Sequence, residues 1–325
     1  MKKMRISPSL VLFVLAPACG ELLSGSAPPA EFFNPFSFLV MALLYGGGAL
    51  IIRELIFRWK KSWPSMILLG AAYGIIEEGL MVQSFFNPYW MDLGKLAAYG
   101  RWLGVNWIWT AELIIFHAVV SIAIPITLTQ LIFPEQKDSS WLSPKWFKTI
   151  VILFFLDILV GLVLCGALNP RYPLPWLHLI LSSFLVVLLF NLARKVPKWD
   201  ASFHAQPARR RAFFLAGFTG IFLLFFFSWF LPEIGLPEWV TFLLLAFLPV
   251  LMILWIIHLS KGSCLPPRHQ LALIAGVISL MAILDQILML DPNPPDNRAG
   301  MWLVGVLFLL FIVWIDRKMI KAGTS

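Results

Sequence analysis

Apolar residues fill the chain in runs of about twenty, the length that crosses a bilayer as a helix. Short segments rich in proline, aromatic and basic residues separate the runs. The pattern predicts ten spans, at 9–24, 36–57, 63–86, 105–133, 147–168, 176–193, 212–231, 239–259, 269–290 and 300–316. The first and sixth are short. The runs are apolar all round instead of alternating, which argues against the strands of a β-barrel. The expected fold is all-α, a polytopic transmembrane helical bundle forming one integral membrane domain over residues 1–325.

Composition agrees with the pattern. The chain is 60% apolar and 13% charged, whereas soluble domains carry about 25% charged residues. No stretch is long and polar enough for a separate soluble domain. A formal net charge of +8 would raise nucleic acid as a partner in a soluble protein, but the placement of the charges assigns them to topology. Of 25 lysines and arginines, twenty lie at the N-terminus (Lys2, Lys3, Arg5), in alternate connections (Arg58, Lys60, Lys61; Lys137, Lys145, Lys148; Arg194, Lys195, Lys198, Arg209, Arg210, Arg211; Lys261, Arg268) and in the tail (Arg317, Lys318, Lys321). The other connections hold Lys95, Arg101, Arg171 and Arg298, and Arg53 lies within a span. Basic residues collect in cytoplasmic loops. Both termini are therefore expected in the cytoplasm, in a prokaryotic cell (inner) membrane, with the lipid bilayer as partner and no nucleic acid. The basic cytoplasmic loop 194–211 reads first as a topology determinant and second as a contact for anionic head groups.

The N-terminus allows two readings. Met1 to Arg5 followed by Leu10 to Ala16 has the charged and apolar regions of a signal peptide, with Cys19 behind them. Ala16-Pro17-Ala18 fits a lipoprotein cleavage site poorly, so a retained short span is the expectation. Cys19, Cys165 and Cys264 are widely spaced and form no CxxC, which indicates neither a disulfide framework nor a zinc ribbon. The outer connections gather proline with aromatics, at Asn34-Pro35, Asn87-Pro88-Tyr89-Trp90, 169–173 and 291–295. The longest, 87–104, is expected to form an amphipathic or re-entrant segment over the site. Gly46, Gly47, Gly48, Gly70 and Gly74 suit close helix packing.

Carboxylates inside spans are costly and mark functional positions. Glu77 and Glu78 interrupt the third span, in a candidate polar site that covers 63–182. The fourth span brings Glu112 and His117 to a similar depth at ~1.5 Å per residue. Gln83 and Ser121 add polar atoms on the same two helices, and His178 at the start of the sixth span is expected to reach this layer. Ser182 and Asp157 are further supporting candidates. Glu54 reads as an interfacial ion pair with Arg53 and Arg58, and Asp285 as reaching the head groups. The inward pair is expected to be Glu77 or Glu78 with His117. A buried carboxylate beside a second one and a histidine is a candidate general base.

The order Glu77-Glu78, His117, His178 on successive helices resembles the CAAX-protease and bacteriocin-processing family of intramembrane endopeptidases, whose motifs are EExxxR, FxxxH and HxxxN. The likeness covers about 100 residues, and Val82, Leu113 and Ser182 stand where the family has arginine, phenylalanine and asparagine. The resemblance implies that Glu77 or Glu78 activates water, that His117 and His178 assist at the scissile carbonyl, and that the substrate is a membrane-embedded or peptide chain. Two other functions fit the same residues: a proton- or ion-coupled transporter with a relay through Glu77, Glu78, Glu112, Asp157 and Asp285, and a non-catalytic membrane subunit with buried polar groups as glue. No cofactor is expected. HExxH is absent and any ligands would come from separate helices, so no metal is expected either.

Overall fold

Three helices begin where serine or asparagine precedes proline. The side chains of Ser7, Asn34 and Ser143 accept backbone N–H groups of Leu10, Phe36 and Trp146, with Pro8, Pro35 and Pro144 following. The cap satisfies a donor left over at the helix start, and proline there loses no hydrogen bond. Asn106 caps the N–H of Trp109 in the same way.

The computed structural model describes residues 6–91, 93–169, 171–199, 206–290 and 297–323. Lys2, Lys3, Arg5, Pro170, residues 200–205 of the basic loop and the segment 291–295 lie outside the described residues.

Each predicted segment contains a helix. They are α1 (Pro8–Leu22), α2 (Pro35–Arg58), α3 (Trp63–Gly74 continuing through Ile75–Met81), α4 (Trp107–Ile132), α5 (Pro144–Ala167), α6 (Trp176–Lys195), α7 (Arg210–Glu233), α8 (Glu238–Ser260), α9 (Pro267–Leu288) and α10 (Met301–Lys321). Seven of them, α2 and α4 to α9, are long and apolar enough to cross a membrane. Of the rest, α1 is short, α3 carries Glu77 and Glu78, and α10 ends in Asp316, Arg317 and Lys318. The third helix stops at Met81, short of the predicted residue 86, because Gln83 takes a left-handed backbone (φ 60°).

Small residues set the packing. Gly20 lies against the Tyr45 ring, Gly46 against Phe13, Gly70 against the Ala118 backbone and Gly74 against His117. These approaches draw α1 to α4 into a tight nucleus, as the glycine pattern predicts. The same device joins α7 to α9, where Gly217 faces the Leu273 carbonyl and Gly276 faces the Phe214 carbonyl. On the outside of the bundle α6 shows Ile180, Leu181, Phe184 and Val187 to its surroundings, the apolar face that a bilayer covers.

Among the described residues of 87–104, a short 3-10 helix at Gly94–Ala97 leads into a small antiparallel hairpin of β1 (Arg101–Trp102) and β2 (Val105–Asn106). The segment is anchored by buried Leu93 and Leu96 and by Tyr99, whose hydroxyl donates to the Leu236 carbonyl at 2.6 Å.

Glu54 makes the ion pairs read from the sequence, with Arg53 at 2.6 Å and Arg58 at 3.4 Å, and it does so fully buried, where it also accepts the Trp141 N–H at 2.8 Å. Arg53 donates to the carbonyls of Lys137 (2.9 Å) and Ser139 (2.6 Å) and stacks on Trp141 at 3.7 Å. The pair thus clamps the loop 136–141 onto α2. Asp285 is buried and faces Gly25, not the head groups.

Candidate functional site

Wider, π-helical turns carry the polar cluster. One spans Ile75–Met81 in α3 and another His117–Ala123 in α4, and the ends of α1 and the middle of α2 are wound the same way at Ala18–Leu22 and Ala42–Gly46. Such turns are rare and concentrate at functional sites, because the extra residue re-aims side chains. On a regular helix Glu77 and Glu78 would point about 100° apart. Here both reach one imidazole. His117 Nδ1 lies 3.4 Å from Glu77 Oε2, and Nε2 lies 3.2 Å from Glu78 Oε1.

Each of the three groups is also held from outside. The Tyr45 hydroxyl contacts Glu77 Oε1 and Glu21 Oε1, bridging α2 to α3 and α1. Ser84 donates to Glu78 Oε2, and Trp109 Nε1 donates to Ser84 at 3.0 Å. Ser121 Oγ lies 3.0 Å from His117 Nδ1. The Tyr73 ring stands beside His117, 5.9 Å between centroids. Glu77 and His117 are buried, whereas the Glu78 side chain keeps 13% exposure. Among the described residues, Glu77, Glu78 and His117 form a group of possible metal ligands whose donor atoms all lie within 4.8 Å of one another.

The other expected residues lie around this centre. Ser182 rests against Gly79, next to Glu78 in the chain. Gln83 is buried against Gly166. Asp157 shares a buried stripe of α5 with Phe154 and Gly161, which pack on Tyr73 and Met81 of α3. Glu112 accepts from Trp229 Nε1 at 2.8 Å, turning toward α7 and away from the pair. His178 bonds the Leu103 carbonyl at 2.9 Å, with its ring 4.8 Å from Phe86, so it fastens α6 to the β1–β2 hairpin. The structure thus brings together Glu77, Glu78, His117 and Ser121, and places His178 and Glu112 in other contacts.

Glu21, Tyr45, Ser84 and Trp109 had no part in the sequence reading of the site. Glu21 carried a signal, being an acid at the end of an apolar run. The aromatic and hydroxyl residues carried none, since such residues are common in any apolar helix.

A multi-pass helical membrane protein with a buried carboxylate–histidine cluster is the class that fold and site define. Over residues 10–323 the chain matches the family described as "Uncharacterized membrane protein family", and it belongs to that family. A protein of Archaeoglobus fulgidus described as "Uncharacterized protein" is 29% identical over 128 residues, which is 39% of this chain and 39% of that protein. No solved structure matches. The family matched is not that of the CAAX-type endopeptidases, which the sequence reading had suggested.

Proposed function

We propose that the protein is an intramembrane hydrolase acting on a membrane-embedded or peptide substrate, with Glu77, Glu78 and His117 as its centre. The observation that carries this reading is the contact of His117 Nε2 with Glu78 Oε1 at 3.2 Å, made by the one acid of the trio that keeps exposure. A carboxylate so placed takes a proton from water, and the imidazole passes a proton to the leaving group. Ser84 and Trp109 orient the carboxylate from behind. His178 is assigned to holding the outer hairpin over the centre, a positioning role in place of the oxyanion role that the resemblance implies. Ten membrane spans, cytoplasmic termini and a prokaryotic inner membrane complete the proposal, supported by the alternation of basic residues.

The test is N-terminal proteomics of membranes from cells producing the wild type, Glu78→Gln or His117→Ala at equal levels. New termini that depend on both residues are expected. Identical termini in all three membranes would sink the hydrolase.

A second reading, proton-coupled transport, is favoured by a different observation. Glu21, Tyr45, Glu77, His117, Glu78 and Ser84 form one run of polar contacts across four helices. Runs of this kind mark proton paths in carriers. Proteoliposomes with an internal pH dye separate the two readings: acidification that needs Glu21 and Tyr45, without proteolysis, would select transport.

A further inference from the structure

We propose that Glu77, Glu78 and His117 hold a divalent transition-metal cation, with Zn2+ as the ion that best suits the donors. This departs from the expectation from sequence, which had no metal motif to work from. A bound metal would take Glu78 Oε1 and His117 Nε2 as ligands, in place of the proton-transfer roles given them above, and the assignment stands whether or not the centre cleaves anything.

The three side chains divide their atoms between outer partners and the centre. Each of the three side chains has two candidate donor atoms, and in each one is already engaged from outside. Glu77 Oε1 is taken by Tyr45, Glu78 Oε2 by Ser84 and His117 Nδ1 by Ser121. What remains is Glu78 Oε1 and His117 Nε2, 3.2 Å apart, and Glu77 Oε2, which has no hydrogen bond and lies 3.4 Å from His117 Nδ1. With Nδ1–H donated to Ser121, Nε2 presents its lone pair. Outer partners that fix the tautomer and orient the carboxylates are the regular companions of metal ligands.

Two independent observations point to a ligand. First, Glu77 Oε2 is buried and has no hydrogen-bond partner, on a side chain only 6% exposed. A buried acceptor left this way is costly, more so when charged. Second, the charges do not balance. Glu77 and Glu78 meet at one imidazole, Glu21 joins them through the Tyr45 hydroxyl, and among the described residues the ion pairs of Glu77 and Glu78 are with His117 alone. Burying carboxylates without a compensating cation is costly. The 3.2 Å between Nε2 and Glu78 Oε1 is close to the separation of two ligands each about 2.0–2.2 Å from a tetrahedral zinc ion. Three protein ligands leave a fourth position for water, the pattern of catalytic rather than structural zinc.

The experiment uses the full-length protein purified in detergent and passed over chelating resin. Metal content is measured by mass spectrometry on the wild type, Glu77→Gln, His117→Ala and Asp285→Asn, with size-exclusion elution and helical circular dichroism as fold checks. Wild type and Asp285→Asn are expected to hold about one equivalent of Zn2+, and the two ligand variants less than about a tenth of that. Co2+ added to the metal-free wild type is expected to give visible tetrahedral absorption that His117→Ala lacks. Where a ligand variant fails its fold check, Ser121→Ala replaces it, with weaker Co2+ binding expected. Equal metal in every folded variant would mean an adventitious ion only. No bound Zn2+ and no Co2+ spectrum in the wild type would overturn the proposal and leave protons as the neutralising charge. Neither result depends on substrate cleavage, so failure here is distinct from failure of the hydrolase.

Discussion

His117 lies between two carboxylates and is steered by a serine one turn along, an arrangement sensitive to changes of a few atoms. Ser121→Ala removes the partner of Nδ1 and leaves all three proposed ligands in place. Loss of such an outer partner typically costs 10–100-fold in metal affinity, and that weakening is the expected result of a Co2+ titration. Unchanged affinity would detach Ser121 from the site. A second residue-scale prediction concerns Glu54, whose removal leaves Arg53 buried without its counter-charge. Glu54→Ala is expected to destabilise by about 3–5 kcal/mol, and the double change Arg53→Met with Glu54→Leu by clearly less, because removing both charges avoids the stranded one. Thermal unfolding in detergent compares the two. At this scale the sequence revealed the acids and the histidine, since charge inside an apolar run is conspicuous. It did not reveal Tyr45, Ser84 or Trp109, whose importance comes from where four helices place them. Nor did it reveal which atoms of Glu77 and Glu78 face His117, because that depends on wide turns that no residue type announces.

At the scale of the element, glycine decides how closely two helices approach. Gly276 faces the Phe214 carbonyl and Gly217 the Leu273 carbonyl across the contact of α7 with α9. A larger residue there meets backbone, which cannot swing aside. Gly276→Leu is expected to cost about 1–3 kcal/mol or more by overpacking. At Gly305, which faces the small side chain of Ala282, alanine is expected to cost less. Thermal unfolding of the two variants decides, and equal stability would show that the crossing tolerates separation. The helices themselves were legible from apolar run length, and several of their starts from the serine– or asparagine–proline pairs. The early end of α3 was not, because Gln83 adopts a left-handed backbone without being glycine or asparagine. The connection 87–104 was legible as a break between two apolar runs, but its hairpin was hidden. Strands of two residues are too short to show a period.

For the whole molecule, the alternation of basic residues leads to the expectation that residues 137 and 261 face the cytoplasm and residues 95 and 235 the other side. Fusions of a reporter active only in the cytoplasm, made after each position, are expected to signal at the first two alone. Signal at 95 or 235 would reverse or break the proposed topology. Charge patterning supplies this expectation from sequence, whereas the packing of α1 to α4 around the carboxylate–histidine cluster has no such signal, since it needs distances between helices far apart in the chain.

Cys19 has a use that concerns measurement. It is fully buried in the wide turn that ends α1, two residues before Glu21, while Cys264 is exposed. The native chain therefore carries a thiol clock. A membrane-permeant maleimide should modify Cys264 at once and Cys19 only when α1 parts from its neighbours, at a rate set by the free energy of that opening. Added Zn2+ should slow the second reaction and leave the first alone, so the occupancy of the centre can be followed in unmodified protein without knowing any substrate.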